Sequence, residues 1–343
     1  MNLRIPVLVF ALMIIVIIPE VLGHAPLGAG ENESLDTAAI IPDPSKSWAI
    51  YAELHEGGEA QYYRFSISEG ERILVSLLIS PASKDEGFLP VLVLMGPKIV
   101  NQGVVPGDVE VPEGSGVIVL EGKPPSQATY EPFSPSSFYS LGAIDLNAPS
   151  SGTYYVAVYE PFQEGHYCLA VGYRETYTLE EWILIPINLI SVYQWEGQSL
   201  PFILAPMVAI LVIGLAILLW RQRSRGRPMA FFNWTGALAG LLFLGSGVSV
   251  LSQMIFALTR TSLVPEIGVT LVFAAIPVIL GIGALRLAMK EDEKMGTRKR
   301  VYFIILGLLA LFMWAGLLVG PILAIVTSLL PSRTGITSRA STE

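Results

Sequence analysis

Long apolar runs occupy 200–220, 230–258, 264–289 and 301–330. Each exceeds the ~20 residues a helix needs to cross a hydrocarbon core. Amides in hydrocarbon must pair within their own segment, so the pattern predicts four transmembrane helices, with Gly320-Pro321 as a kink point in the last. Ahead of them the rhythm changes to short stretches that alternate apolar and polar residues or are rich in β-branched and aromatic ones. Strands are predicted near 47–54, 60–67, 72–80, 89–95, 116–120, 138–145, 152–159 and 166–173. Turn residues such as Gly57-Gly58, Glu69-Gly70, Gly96-Pro97 and Ser151-Gly152 separate them, and no helical period of useful length intervenes. Many short strands at such spacing predict an all-β sandwich or jelly roll. The expected fold class is therefore a jelly-roll or sandwich ectodomain followed by an α-helical four-span transmembrane domain.

The flanking segments set the expected topology. Arg4 precedes an apolar run from Ile5 to Ile18, and Val21 and Gly23 suit a processing site, so 1–23 reads as a signal peptide cut before His24. The alternative, an uncleaved signal anchor, leaves the next domain on the same outer side. Residues 24–175 form the ectodomain. Residues 176–199, whose apolar run is too short to span, carry Trp182, Tyr193 and Trp195 and read as an interfacial segment. Arg221, Arg223, Arg225 and Arg227 follow the first run, and Lys290, Lys294, Arg298, Lys299 and Arg300 follow the third. The link after the second holds Arg260. Positive links stay cytoplasmic, so the ectodomain and the tail 331–343 are both expected outside a cell membrane.

Charge sharpens the division. Residues 24–199 hold 23 Asp/Glu against 7 Lys/Arg, a balance of −16, while the remainder carries +8. A domain so acidic is not a nucleic-acid binder, because phosphates need Lys and Arg. The mean hydropathy of +0.57 comes from the C-terminal part. A single cysteine, Cys168, rules out an intrachain disulfide, so the ectodomain must be held by its core.

Two segments carry a resemblance. Ala60-Gln61-Tyr62-Tyr63-Arg64-Phe65-Ser66-Ile67, with Glu69-Gly70-Glu71-Arg72-Ile73, resembles the opening of bacterial pre-peptidase C-terminal (PPC) type domains. Ser151-Gly152-Thr153-Tyr154-Tyr155-Val156-Ala157-Val158 resembles their closing strand. The resemblance covers about 35–173 and implies a jelly-roll accessory module of secreted or surface proteins, without general catalytic residues. The family's usual protease domain has no counterpart here.

Catalytic signatures are absent: no H-E-x-x-H, no G-x-S-x-G and no phosphate loop occur. The leading expectation is a non-enzymatic surface module. It would bind an extracellular protein or envelope partner, with helices that meet membrane lipid or join a hetero-complex. A second reading concerns metal. A mature N-terminal His24 could bind copper through its amine and imidazole, with His55 or His166 completing the site. Cys168 shares a strand face with His166 but lacks the compact loop of a blue-copper centre, so a buried small hydrophobe is the simpler reading. A third reading is a small-solute channel. Ser246, Ser249, Ser252 and Gln253 recur at helical spacing and could line a path, although such residues more often bind helices together. Gly236-x-x-x-Gly240 and Gly316-x-x-x-Gly320 are expected to offer flat helix faces. Asn32-Glu33-Ser34 fits the N-glycosylation pattern.

Overall fold

The computed structural model describes residues 25–28, 30–226, 228–290 and 296–331. The predicted signal peptide, His24 and the tail beyond Pro331 lie outside the described residues. The chain divides into two compact units. One comprises 1–126 and 139–177, and the other 127–138 and 178–343.

The first unit is β-rich. Its strands are β1 (Ala25–Pro26), β2 (Ala39–Ile40), β3 (Trp48–Leu54), β4 (Ala60–Ile67), β5 (Arg72–Ile79), β6 (Val91–Gly96), β7 (Gly116–Glu121), most of β9 (Ser136–Asn147), β10 (Gly152–Tyr159) and β11 (Gly165–Val171). Strand β8 (Thr129–Glu131) belongs to the second unit. Each of the eight stretches read from the pattern overlaps a strand, and β1, β2 and β8 lie outside them. One sheet runs β1-β3-β11-β5-β9-β8 and the other β2-β4-β10-β6-β7. The long strands pair antiparallel throughout. Alternation does the sorting: Ile73, Val75, Leu77 and Ile79 of β5 are buried between more exposed neighbours. Leu141 is passed over where Leu77 pairs with Gly142 and Leu78 with Ser140, a bulge that Gly142 serves with φ +149°. A short helix the pattern did not predict, α1 (Pro81–Asp85), starts at Ser80, whose side chain accepts from the Ser83 N–H.

A buried polar chain ties the two sheets. Tyr63 of β4 meets Tyr167 of β11 hydroxyl to hydroxyl at 2.6 Å. Tyr167 donates to Gln61 Oε1 at 2.6 Å, and Gln61 donates onward to the Glu53 carbonyl at 2.8 Å. Burial pushes the Tyr63 phenol up to about 12, so the network stays neutral. Cys168 is buried and free, and burial raises its thiol as well. Asn32 departs from expectation. It is 1% exposed and its amide donates to the Tyr62 carbonyl at 3.2 Å, so the glycosylation pattern is occupied by a core hydrogen bond.

The second unit is helical: α2 (Leu179–Trp195), α3 (Leu200–Arg225), α4 (Phe231–Leu258), α5 (Ile267–Met289), α6 (Thr297–Phe312) and α7 (Val319–Leu329). The 176–199 segment forms α2, opened by a capping box between Thr178 and Glu181. Among the described residues, α3, α4 and α5 are long and apolar enough to cross a membrane, which makes this a multi-pass membrane protein.

The fourth apolar run does not form the expected single helix. It breaks at Met313–Leu318, ahead of the expected Gly320-Pro321 kink, where Trp314, Gly316 and Leu317 have φ of 52°, 77° and 54°. Pro321 falls in the first turn of α7, where its missing N–H costs nothing. α7 then runs back along α6: the Arg300 guanidinium near the start of α6 donates to the Ser328 carbonyl, and to the Leu330 carbonyl at 2.8 Å. The chain at Leu330 therefore returns to the end of the bundle where α6 began, rather than to the opposite end.

Glycines bring the helices close. A Cβ on Gly281 would stand 2.7 Å from the Gly240 carbonyl oxygen, and one on Gly236 2.6 Å from the Phe303 ring. The Gly236/Gly240 pair thus serves two different neighbours, α6 and α5. Gly316, inside the break, and Gly320, just after it, instead both accommodate Phe243, so they are not a flat helix face.

Candidate functional site

The most elaborate polar and aromatic constellation lies in the helical unit, around residues 127–138. Thr129–Glu131 and Ser136–Phe138 form a hairpin tip with Pro132 and Pro135 in its loop. Tyr130 and Thr270 of α5 meet hydroxyl to hydroxyl at 2.7 Å, and Thr270 also donates to the Pro132 carbonyl at 2.6 Å. Glu196, between α2 and α3, is 2% exposed. Its carboxylate accepts from the Ser137 N–H at 2.6 Å, from the Ser137 hydroxyl at 3.2 Å and from Gln198 Nε2 at 3.0 Å. Gln198 Nε2 also donates to Gln253 Oε1 at 2.9 Å, which carries the network into α4.

An aromatic cage surrounds the loop. Phe133 stands edge-on to Trp314 and Phe273, with ring centres 4.9 and 5.3 Å away, while Trp182 and Trp314 approach to 4.6 Å. Pro186 explains part of this geometry. It cannot donate to the Trp182 carbonyl one turn earlier. That carbonyl accepts instead from Trp314 Nε1 at 2.8 Å, and Trp182 Nε1 donates to the Phe312 carbonyl at 3.0 Å. Irregular backbone in hydrocarbon persists only where protein satisfies it. Ser246 contributes too, since its hydroxyl accepts the Gly316 N–H at 2.7 Å. Ser246→Ala is expected to destabilise the detergent-solubilised protein by about 1–3 kcal/mol, because a buried N–H loses its acceptor. Thermal unfolding should show this, with Ser249→Ala close to wild type because the Ser249 hydroxyl has no hydrogen-bond partner among the described residues.

Beside the cage is a partly open cavity of about 100 Å³, lined by Tyr193, Met207, Ser249, Gln253, Pro277 and Trp314 among others. No protein-family model matches the chain, and no curated protein matches it. The resemblance to pre-peptidase C-terminal type domains is thus carried by the two quoted segments alone.

The residues named for metal fall elsewhere. His166 lies opposite Glu53 in the β11–β3 pair, its Nε2 3.3 Å from Glu53 Oε2. His55 follows β3, and its N–H donates to Glu59 Oε2 at 2.6 Å. Among the described residues no three His, Cys, Asp or Glu side chains gather as a metal site, and His24 is not among them. Of the serine stripe, Ser246 and Gln253 bind neighbouring elements. Sequence reading missed Glu196, Ser137, Tyr130 and Thr270. The available signal was a lone carboxylate between Trp195 and the first long apolar run.

Proposed function

We propose that the protein displays its β unit on the outer side of a cell membrane as a non-catalytic binding module for an extracellular protein or envelope component. The helical unit serves as anchor and as the seat of the hairpin tip. One observation carries this reading: two of the four polar side chains of α4 that could have lined a path are spent on structure, Ser246 on the Gly316 N–H and Gln253 on Gln198. That is the pattern of helices that hold a position, and it disfavours the channel reading. The order β3-β11-β5-β9 facing β4-β10-β6-β7 supports a jelly roll for the β unit. To test binding, a photo-crosslinker at Phe162, 85% exposed, is expected to give one discrete adduct on intact cells. Reaction with solvent alone would remove the binding reading.

In this reading α3, α4 and α5 cross and the α6–α7 pair is re-entrant, so the tail from Pro331 lies inside. Arg333 and Arg339 in the tail agree with the positive-inside rule. Cys168 is buried, so introduced cysteines report cleanly. Glu113→Cys should react with an impermeant maleimide on intact cells, and Ser341→Cys only after permeabilisation. Labelling of Ser341→Cys on intact cells would restore a fourth crossing.

A further inference from the structure

Ser249 lines the cavity, and its hydroxyl is buried there with no hydrogen-bond partner among the described residues. Most of the other walls are apolar: Met207 of α3, Val250 of α4, Pro277 of α5, Leu317 at the helix break and Phe133 of the hairpin tip. Pro277 lies about 15 Å along α5 from Ile267 at 1.5 Å per residue. That depth is within the hydrocarbon if α5 crosses the membrane, so a lipid chain beside α5 lies level with this wall. This step rests on the reading of α3–α5 as spans. The volume of about 100 Å³ is smaller than the ~150 Å³ cavity known to admit a six-carbon benzene ring, so only the few carbons next to a polar group fit inside and the rest of a chain lies beyond the open side.

We propose that this cavity binds the oxygen-bearing end of one membrane amphiphile, its hydroxyl, ester or ether oxygen hydrogen-bonded to Ser249 and the adjoining carbons against the apolar walls. A purely apolar occupant would leave the buried hydroxyl unpaired, which is unfavourable in a low-dielectric site. An amphiphile satisfies the hydroxyl and fills the apolar walls together. Phe133 forms part of the wall, so occupancy and seating of the hairpin tip reinforce each other.

Trp314 lines the cavity and provides the readout. The full chain in detergent is titrated with dibrominated octadecanol while tryptophan fluorescence is followed, with Trp314→Phe to identify the responding residue and dibrominated octadecane as the oxygen-free comparison. The alcohol is expected to quench saturably, at one molecule per chain and at several-fold lower concentration than the alkane. Ser249→Ala should remove the alcohol's advantage, and Val250→Phe should abolish saturable quenching by both. Non-saturable quenching, or equal behaviour of alcohol and alkane with wild-type protein, overturns the proposal even if Val250→Phe fails to fold. The cysteine labelling described above reports topology separately, so failure of the cavity and failure of the span reading are distinguishable.

Discussion

Glu196→Ala is expected to unseat the hairpin tip, at about 1–3 kcal/mol for each buried donor that loses its acceptor. Ser137 N–H and Gln198 Nε2 both donate to this carboxylate. Hydrogen exchange should show residues 129–138 losing protection while the β5–β11 pairing keeps it. The same carboxyl makes the seat pH-dependent. Burial, opposed by the bonds from Ser137 and Gln198 and by the Arg260 charge, raises it from 4.5 to about 7. The nearby Tyr193 and Tyr130 phenols do not ionise in this range, burial raising both above their ordinary value of about 10. The raised value means that the folded state holds a proton the unfolded state releases. Stability is therefore fully present below 4.5 and is lost as pH rises toward about 7. The change is on the order of 3 kcal/mol. Thermal unfolding from about pH 4 to about pH 8 should show that loss, and Glu196→Gln should flatten it. A wild-type profile as flat as that of Glu196→Gln would refute the assignment.

Gly281→Leu is expected to be at least as damaging, because the obstruction is backbone. A Cβ there meets the Gly240 carbonyl oxygen at 2.7 Å and the Leu244 amide nitrogen at 2.8 Å, neither of which can swing aside. α4 and α5 must separate, and even modest overpacking costs about 1–3 kcal/mol. Loss of monodisperse protein in size-exclusion chromatography is the expected result. Gly268→Leu, where a Cβ meets nothing within 4 Å, is the matched control. Comparable behaviour of the two variants would mean that the close α4–α5 approach is not what holds the bundle.

Much of the architecture was legible because hydrophobic period is a local property. Alternation in Arg72–Ile79 marks a half-buried strand whichever strands flank it, and the apolar lengths of α3, α4 and α5 suffice for crossing whatever packs beside them. The fourth run misled because length alone cannot report a reversal. The break at Met313–Leu318 is held by Ser246, distant in sequence, and by Trp182, more distant still. The asparagine of the glycosylation pattern misled for a related reason, since its partner is the carbonyl of Tyr62.

By itself the sequence determined the β-rich and helical division, the strand positions, three of four expected helices long and apolar enough to cross a membrane, and the acidic character of the β unit. Each depends on the solvent preference of side chains within one segment. Only the tertiary structure decided the fold-back of α7 on α6, the seat of the hairpin tip on Glu196 and Thr270, and the cavity beside Ser249. The first two are built from donors and acceptors that meet across 28 to 140 residues, and single-chain pattern carries no information about which distant carbonyl a buried N–H will find.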